Sequence, residues 1–342
     1  MKPLIVNLAT AGATLALLGT LTFPAGRVLT KSLGAKPERA RAAVAAAPVE
    51  PRRVFGAYVD PWHVPEWAAA VGARPQLIAK FQAFASSRPI GGFLAETERQ
   101  GIRQVMISWE PWSPVPASLG PAAQREWQFG YSNVDIARGA QDGYVRRFAR
   151  ALAGFRGVVY LRYAHEMNGF WYPWSTGPHA YVLAWRRVVR IFRQEGARNV
   201  RFVWSVNPSL YLPRSQWHRH FSRYWPGGSY VDDVGSTLID FGGTKQYTVK
   251  RFHPTLVALR RIYRKPVILT ETNTEYRGRV RWLDDLRSML RRAPWIKAVV
   301  WSQLPSRSSV HLGGSIGDLD WDVTKDAPAA GALRRIIEDG YG

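Results

Sequence analysis

The sequence predicts a (β/α)8 TIM barrel, preceded by an N-terminal signal or anchor segment and a linker. From Val54 onward, short apolar and β-branched runs alternate with helical patterns, which favours a parallel sheet. The runs number eight, which favours a closed barrel, and barrels of about 250 residues commonly form one domain. A doubly wound open sheet is the competing architecture. It would need a glycine-rich phosphate loop after an early strand, and the turn DPWHVPEW after the first run is not one.

The elements follow one another in a regular order. The strand candidates are VFGAYVD (54–60), LIAKFQAF (77–84), RQVMISWE (103–110), VVYLRYAHE (158–166), VRFVWSVN (200–207), YVDDVGSTLID (230–240), PVILTETNTE (266–275) and IKAVVWSQL (296–304). The clearest helical patterns cover 135–155, 179–197, 253–264, 280–293 and 327–339. Gly196 and Pro266 stand where a helix end and a strand entry are expected.

The N-terminus predicts export. No charged residue occurs between Lys2 and Arg27, and the stretch LATAGATLALLGTLTF between them is apolar. We therefore expect 1–26 to be a signal peptide or membrane anchor, 27–52 an Ala/Pro/Arg-rich linker, and 53–342 the barrel domain. The protein is then secreted or anchored to the cell envelope.

The composition excludes some chemistries. The chain has no cysteine, which rules out disulfides, thiolate catalysis and cysteine-ligated metals. Its net charge is +22, and many of its arginines occur as pairs in helical patterns. These pairs are 146/147, 186/187, 260/261, 291/292 and 334/335. Because they fall on several segments, they favour solvated outer faces over the basic stripe of a nucleic-acid-binding protein. Attraction to anionic cell-envelope polymers or membrane surfaces is still expected at this charge.

Charged and aromatic residues collect where the predicted strands end, which is where barrel enzymes build their sites. The candidates are Asp60, Trp62, Trp109, Glu110, Trp112, Arg162, His165, Glu166, Asn168, Trp171, Trp174, Asn207, Glu271 and Trp301. In extended geometry Arg162, Ala164 and Glu166 share one face. Strands four and seven lie across the mouth of a closed barrel, so Glu166 and Glu271 can flank a bond, as glycoside hydrolysis requires. A neighbouring arginine favours the ionised form of one of them.

The stretch RYAHEMNGFWYPW (162–174) closely resembles the strand-four signature of glycoside hydrolase family 26. The resemblance implies that Glu166 is the acid/base and that Glu271, in PVILTET, is the nucleophile, with Glu275 outside the site. SWEPW and VVWSQ resemble the family's strands three and eight, with Trp301 as the floor of the cleavage subsite. The implied substrate-binding residues are Arg162, His165, Asn168, Trp171, Trp174 and Trp301, together with the strand-end residues Glu110, Trp112 and Asn207. The resemblance covers about 54–340.

One departure from the family pattern concerns strand six. The family usually has a tyrosine shortly after this strand, placed to hydrogen-bond the nucleophile. This chain reads VGSTLIDFGGTKQYT there, with Phe241 nearest and Tyr247 farther on.

The predicted function is that of an exported retaining endo-β-glycanase that hydrolyses β-linked glucan or mannan by double displacement. We expect a monomer with a polysaccharide substrate, no specific nucleic acid, no cofactor and no metal. HEMNG lacks the second histidine that a helical zinc site would have. One alternative is a catalytically weak or inactive polysaccharide-binding barrel in cell-surface glycan assembly. The charge alone suggests another, a nucleic-acid or membrane-surface protein.

Overall fold

The computed structural model describes residues 53–113, 128, 130–240, 248–274, 278–303 and 321–340. The predicted signal or anchor segment and linker lie outside these ranges, and so do Phe241, Tyr247 and Glu275. Within the ranges, no helix combines the length and the apolar character needed to cross a bilayer.

Eight parallel strands form a closed barrel in sequential order, which confirms the predicted fold class. The strands are β1 (Val54–Ala57), β2 (Leu77–Ala83), β3 (Gln104–Glu110), β4 (Val158–Tyr163), β5 (Val200–Val206), β6 (Asp233–Asp240), β7 (Val267–Thr274) and β8 (Ile296–Trp301). Each lies inside the run that predicted it. Six strands end one to three residues before their runs do, because the polar residues at these run ends belong to the loops of the mouth, whereas β3 and β6 extend to the ends of their runs.

The helices described cover the outside of the barrel. They are α1 (Val64–Val71), α2 (Ile90–Arg99), α3 (Asn133–Arg138), α4 (Asp142–Ala153), α5 (Pro178–Gln194), α6 (Arg214–Ser222), α7 (Val249–Tyr263), α8 (Arg279–Arg292) and α9 (Ala327–Glu338). The pattern over 135–155 divides into α3 and α4 because Gly139 ends α3 in the left-handed conformation. Helices α1, α2 and α6 were not predicted.

Strand alternation separates two layers of apolar side chains. Inside the barrel, Leu77, Met106, Tyr160, Val203 and Ile268 belong to one buried cluster. The alternate residues of the strands pack against the helices in a larger cluster. The barrel interior is therefore filled with side chains, and polar residues that face inward near the strand ends lie at the mouth.

The arginine pairs are less scattered than the sequence suggested. Three of them (260/261, 291/292 and 334/335) lie at or next to the carboxyl ends of α7, α8 and α9. In this fold the helices end where the strands begin, so these pairs share the end of the barrel opposite the mouth. We call this the basal end.

Two glycine substitutions should have opposite effects on stability. A Cβ added at Gly235 would lie 2.6 Å from Thr270 Cγ2 and 2.8 Å from the Ile268 carbonyl oxygen. Gly235→Ala should therefore lower the free energy of unfolding by about 1–3 kcal/mol, the usual cost of overpacking. At Gly331 in α9, no atom lies within 4 Å of the added Cβ. Gly331→Ala should raise the free energy of unfolding by about 0.5–1 kcal/mol. Urea unfolding measures both, and equal effects of the two substitutions would contradict the strand packing described.

Candidate active site

Strand β7 contains one extra residue where it reaches the mouth. The consecutive β6 residues Ser236 and Thr237 pair with Leu269 and Glu271, so Thr270 is unmatched. The pairing of β7 with β8 shifts at the same place. Regular alternation would turn Thr270 inward and Glu271 outward, and the bulge allows both to face the barrel interior.

Contacts across the barrel confirm this orientation. The Thr270 hydroxyl lies 2.9 Å from the Ser205 hydroxyl of β5. The Glu271 carboxylate accepts a hydrogen bond from Arg162 of β4 and forms a buried ion pair with it. Glu271 is 6% exposed and Arg162 is fully buried. The ion pair thus joins strands that are not neighbours in the sheet.

Hydroxyl groups hold the Arg162 guanidinium in place. Its Nη1 donates to Ser108 Oγ at 3.1 Å and to the Tyr58 hydroxyl at 3.4 Å. Its Nη2 donates to Thr237 Oγ1 at 3.1 Å. Since Arg162 has no exposed surface, its predicted role in binding substrate is corrected. It contacts the Glu271 carboxylate and orients it.

The segment after β4 turns sharply. The prediction that Arg162, Ala164 and Glu166 share one face of a strand is wrong, because β4 ends at Tyr163. Ala164 and Glu166 have φ values of 44° and 52°, in the left-handed region that residues other than glycine seldom occupy. The Glu166 N–H donates to the Ser205 carbonyl at 2.8 Å, which ties the turn to β5. The strained turn brings the Glu166 side chain to the mouth.

Three carboxyl groups lie near one another at the mouth. Burial raises the pKa of Glu271, the Arg162 guanidinium opposes this rise, and the Glu166 charge adds to it. Burial also raises the pKa of Glu110 to about 8. The hydrogen bond that Glu110 accepts from the Trp112 indole N–H at 3.2 Å acts in the other direction and lowers this pKa. At neutral pH the Glu110 carboxyl therefore holds a proton and can donate a hydrogen bond.

An aromatic cluster supports the turn that carries Glu166. The Tyr172 hydroxyl lies 3.1 Å from His165 Nε2, and the Tyr172 ring stacks on Trp174 at 4.3 Å. The Trp174 indole N–H donates to the His165 carbonyl at 2.7 Å. Trp112 meets Trp174 edge-on at 5.7 Å. The cluster fixes the backbone on both sides of Glu166.

Several predicted substrate-binding residues have little surface to offer a sugar. Trp174 is 1% exposed and Trp112 is 2% exposed, so both support the site from within. Trp301 is fully buried and belongs to the core between strands and helices. Its neighbour Val300 faces the barrel interior, and alternation therefore turns Trp301 away from the mouth. Its assignment as the floor of the cleavage subsite is corrected. Trp109 is likewise fully buried, against Phe148.

Asn168 also acts within the protein. Its side-chain nitrogen donates to the Asn207 carbonyl at 2.9 Å and to Ser209 Oγ at 2.8 Å, and its oxygen accepts from the Asn207 N–H at 2.8 Å. Asn168 is 3% exposed, so it joins the loops after β4 and β5 rather than presenting its amide to a ligand. Asn207 is half-buried beside it.

Other aromatic rings do face solvent at the mouth. Trp62, Phe170 and Tyr211 are 54%, 74% and 60% exposed, and Trp171 is half-buried. A Cβ added at Gly169 would lie 2.6 Å from the Trp171 ring, so the indole packs directly on this glycine. These rings provide flat apolar surfaces at the mouth, of which only those of Trp62 and Trp171 were among the candidates from the sequence.

A cavity of about 730 Å³ opens on the β1 side of the mouth. Tyr58 and Phe81, whose rings stack at 4.8 Å, line this cavity, and the Tyr58 hydroxyl also contacts Arg162. Asp60, His63 and Asp322 add polar groups to its lining. The volume lies within the range of about 300–1,000 Å³ that is usual for small-molecule sites.

Four residues of the site were not predicted from the sequence. Tyr58, Ser108 and Thr237 contact Arg162, and Tyr172 contacts His165. Ser108 lies two residues before Glu110 on an inward-facing strand, and that spacing was an available signal. Among the described residues, no three histidine or carboxylate side chains converge as a metal site would require.

Known proteins resemble this chain in sequence and in fold. The sequence profile of Glycosyl hydrolase family 26 matches residues 145–326, just over half of the chain. Endoglucanase H of Acetivibrio thermocellus is 27% identical over 255 residues, which are 69% of this chain and 24% of that protein. Mannan endo-1,4-β-mannosidase A and B of Caldalkalibacillus mannanilyticus is 34% identical over 86 residues, 22% of this chain and 15% of that protein. The matches thus span a quarter or less of these two relatives.

Solved structures show the same fold. A family 26 β-mannanase from Bacteroides ovatus superposes with a TM-score of 0.59 at 15% identity, over 84% of this chain and 89% of that one. The catalytic domain of an endo-β-1,4-mannanase from Bacillus sp. JAMB-750 superposes with a TM-score of 0.58 at 16% identity, over 84% and 86%.

Replacing Arg162 should make stability depend on pH in a predictable direction. Arg162→Met leaves Glu271 as an unpaired buried charge, which costs about 3–5 kcal/mol near neutral pH. Burial and the Glu166 charge then raise the Glu271 pKa unopposed. In the folded variant the Glu271 carboxyl then keeps its proton at pH values above about 4.3, where the same carboxyl in the unfolded chain has lost it. The free energy of unfolding of the variant therefore falls as the pH rises. Urea unfolding should show a smaller loss, relative to wild type, at about pH 4 than at about pH 7.

The double variant Arg162→Met/Glu271→Gln is the matched control, because it removes the unpaired charge. It should recover most of the stability lost near neutral pH. A loss that is the same at both pH values, and unchanged in the double variant, would show that Arg162 acts only through packing.

Proposed function

Because the chain belongs to glycosyl hydrolase family 26, we propose that it is an exported retaining endo-β-glycanase acting on β-linked glucan or mannan. The observation that carries the proposal is the buried Arg162–Glu271 pair of β4 and β7, with Glu166 beside it at the same mouth. Two carboxylates on opposite strands can flank one glycosidic bond.

In the first step, the Glu271 carboxylate attacks the anomeric carbon and Glu166 gives its proton to the departing glycosidic oxygen. The carbon–oxygen bond to the leaving sugar breaks as the bond to Glu271 forms. Arg162 favours the ionised carboxylate that this attack needs, against the effect of burial.

In the second step, Glu166 takes a proton from a water molecule, which attacks the same carbon and releases Glu271. Two inversions give net retention at the anomeric carbon. The turn with left-handed Ala164 and Glu166 places the proton donor, and the Tyr172–His165 contact restrains it. Glu110, which is protonated at neutral pH, is suited to donate a hydrogen bond to a sugar oxygen.

The mouth suits an extended chain of sugars. Exposed rings of Trp62, Phe170 and Tyr211 surround it, and the cavity beside Tyr58 extends it on the β1 side. A site that extends beyond the reacting bond in this way can accept an internal bond of a polymer. The two relatives matched above are an endoglucanase and a mannan endo-1,4-β-mannosidase, which supports glucan or mannan as the substrate class.

The proposed export of the enzyme rests on the apolar stretch before Arg27. We also propose that the enzyme is a monomer and that it needs no metal.

Carboxylate variants should separate the two roles. Glu166→Ala and Glu271→Ala should each lower kcat on the preferred polysaccharide by about 1,000-fold or more. Glu166→Ala should leave the free energy of unfolding unchanged within about 1 kcal/mol, whereas Glu271→Ala leaves the buried Arg162 unpaired and should lower it by about 3–5 kcal/mol while the chain still folds. With an activated aryl β-glycoside, azide should rescue Glu271→Ala to give the α-glycosyl azide, because the anion replaces the nucleophile. Azide should rescue Glu166→Ala to give the β-glycosyl azide, since Glu271 still acts first. Reducing-end release from a panel of β-glucans and mannans measures wild-type activity.

Glu338→Ala, an exposed carboxylate at the end of α9, is the matched control and should retain full activity. Near-normal turnover by either active-site variant would disprove its assigned role. No release from any polysaccharide, together with binding to one of them, would show an inactive binding barrel instead.

A further inference from the structure

The basal end carries an unusual concentration of arginine. The last turns of the helices that end there contain Arg99, Arg150, Arg193, Arg219, Arg260, Arg261, Arg291, Arg292 and Arg335. All seven helix-to-strand connections fall within the described residues, and six of them contain arginine, namely Arg74, Arg103, Arg156, Arg198, Arg223 and Arg264. Helix dipoles favour one cation in each last turn, but they do not account for those in the loops.

Carboxylates at this end are already engaged. Glu98 binds Arg156, and Glu195 binds Arg146 and Arg150. Asp339 binds two arginines of α8, and Asp232 accepts from the Phe202 N–H. Glu98, Glu195 and Asp339 are therefore already paired with cations, whereas Asp232 is bonded to a neutral N–H group.

A group of arginines near β6 and β7 remains uncompensated. Arg223, Arg260, Arg261 and Arg264 are exposed, and no carboxylate of the described ranges forms an ion pair with them. Arg260 lies over the Trp295 ring at 5.0 Å, which holds it at the surface without neutralising it. Side chains from short connections at one end of a barrel can reach a common plane.

The opposite end contains the carboxylates of the candidate site. Asp60, Glu66, Glu110, Glu166 and Glu271 lie in or beside the mouth, where Arg162 is committed to Glu271. Exposed arginines lie on the mouth side as well, so what distinguishes the basal end is the concentration of its arginines.

The connection of the chain to its N-terminal part supplies a second observation. Strand β1 begins at Val54, and strands begin at the basal end, so the chain that precedes Arg53 joins the barrel there. Its sequence contains the apolar stretch that predicts a signal or anchor, followed by Arg27, Lys31 and further cations.

We propose that the basal end docks on an anionic phospholipid bilayer, with the mouth facing away from it. Each arginine near such a surface strengthens binding about fivefold, within a screening length of about 8 Å at physiological salt. Nucleic acid is a poorer fit, because the chain has no nucleic-acid-binding motif and its cations lie where the N-terminal segment joins the barrel. The proposal is independent of the glycanase activity.

The test uses the full chain with vesicles of phosphatidylcholine alone or with phosphatidylglycerol added. Co-sedimentation should show tighter binding to the anionic vesicles, and added salt should reduce the difference. Arg260→Gln/Arg261→Gln/Arg264→Gln should lower affinity for anionic vesicles about 100-fold and leave binding to phosphatidylcholine unchanged. The matched control Arg88→Gln/Arg138→Gln/Arg214→Gln removes three exposed charges from the mouth side and should retain the wild-type preference.

Orientation provides a separate readout. The chain has no cysteine, so Ser229→Cys near the basal end and Thr248→Cys near the mouth can each carry one fluorophore. Energy transfer to a lipid acceptor should be stronger from the basal label. Equal transfer from both labels, equal losses in the two triple variants, or no preference for anionic lipid would each overturn the proposal. So would binding to double-stranded DNA that exceeds vesicle binding and disappears in the basal variant.

Discussion

The ion pair between Arg162 and Glu271 is the interaction on which the site depends. It connects β4 and β7 across the barrel and is almost fully removed from solvent. Burying two charges is costly unless the pair is well bonded, and hydroxyls of Tyr58, Ser108 and Thr237 complete the bonding of the guanidinium. Tyr58 directly follows β1, and Ser108 and Thr237 belong to β3 and β6, so only the closed barrel assembles these hydroxyls. Closure of the sheet and the ionic state of Glu271 are therefore linked.

Local irregularities do the remaining positioning. A bulge in β7 turns Glu271 inward, and left-handed residues after β4 direct Glu166 to the mouth. Both features are less stable locally than regular structure, and buried aromatic and amide contacts hold the second one. Trp174 and Asn168 supply those contacts, which explains why these residues of the strand-four motif are themselves buried.

The sequence predicted the eight strands and the two carboxylates because periodicity and motif spacing are local properties. It did not predict whether the residues near these carboxylates face the barrel interior or the surrounding helices. Trp301 was assigned to the mouth. Because neighbouring residues of a strand face opposite sides and Val300 faces the interior, Trp301 packs in the core between the strands and the helices. The basal arginines were interpreted as scattered pairs, because separate helix ends become neighbours only when the barrel closes. In contrast, Tyr58 and Thr237 have no local signal, since each contacts Arg162 from a distant part of the chain.

Covalent trapping of Glu271 tests the central claim most directly. A 2,4-dinitrophenyl 2-deoxy-2-fluoro-β-glycoside, in cellobiose and mannobiose forms, should release about one equivalent of dinitrophenolate in a burst, because the fluorine slows the second step. Mass spectrometry of the digested protein should then find the fluoroglycosyl group on Glu271 alone, and Glu271→Gln should show no burst. Attachment to another residue, or continued turnover of natural polysaccharide with no trapped species, would contradict the account.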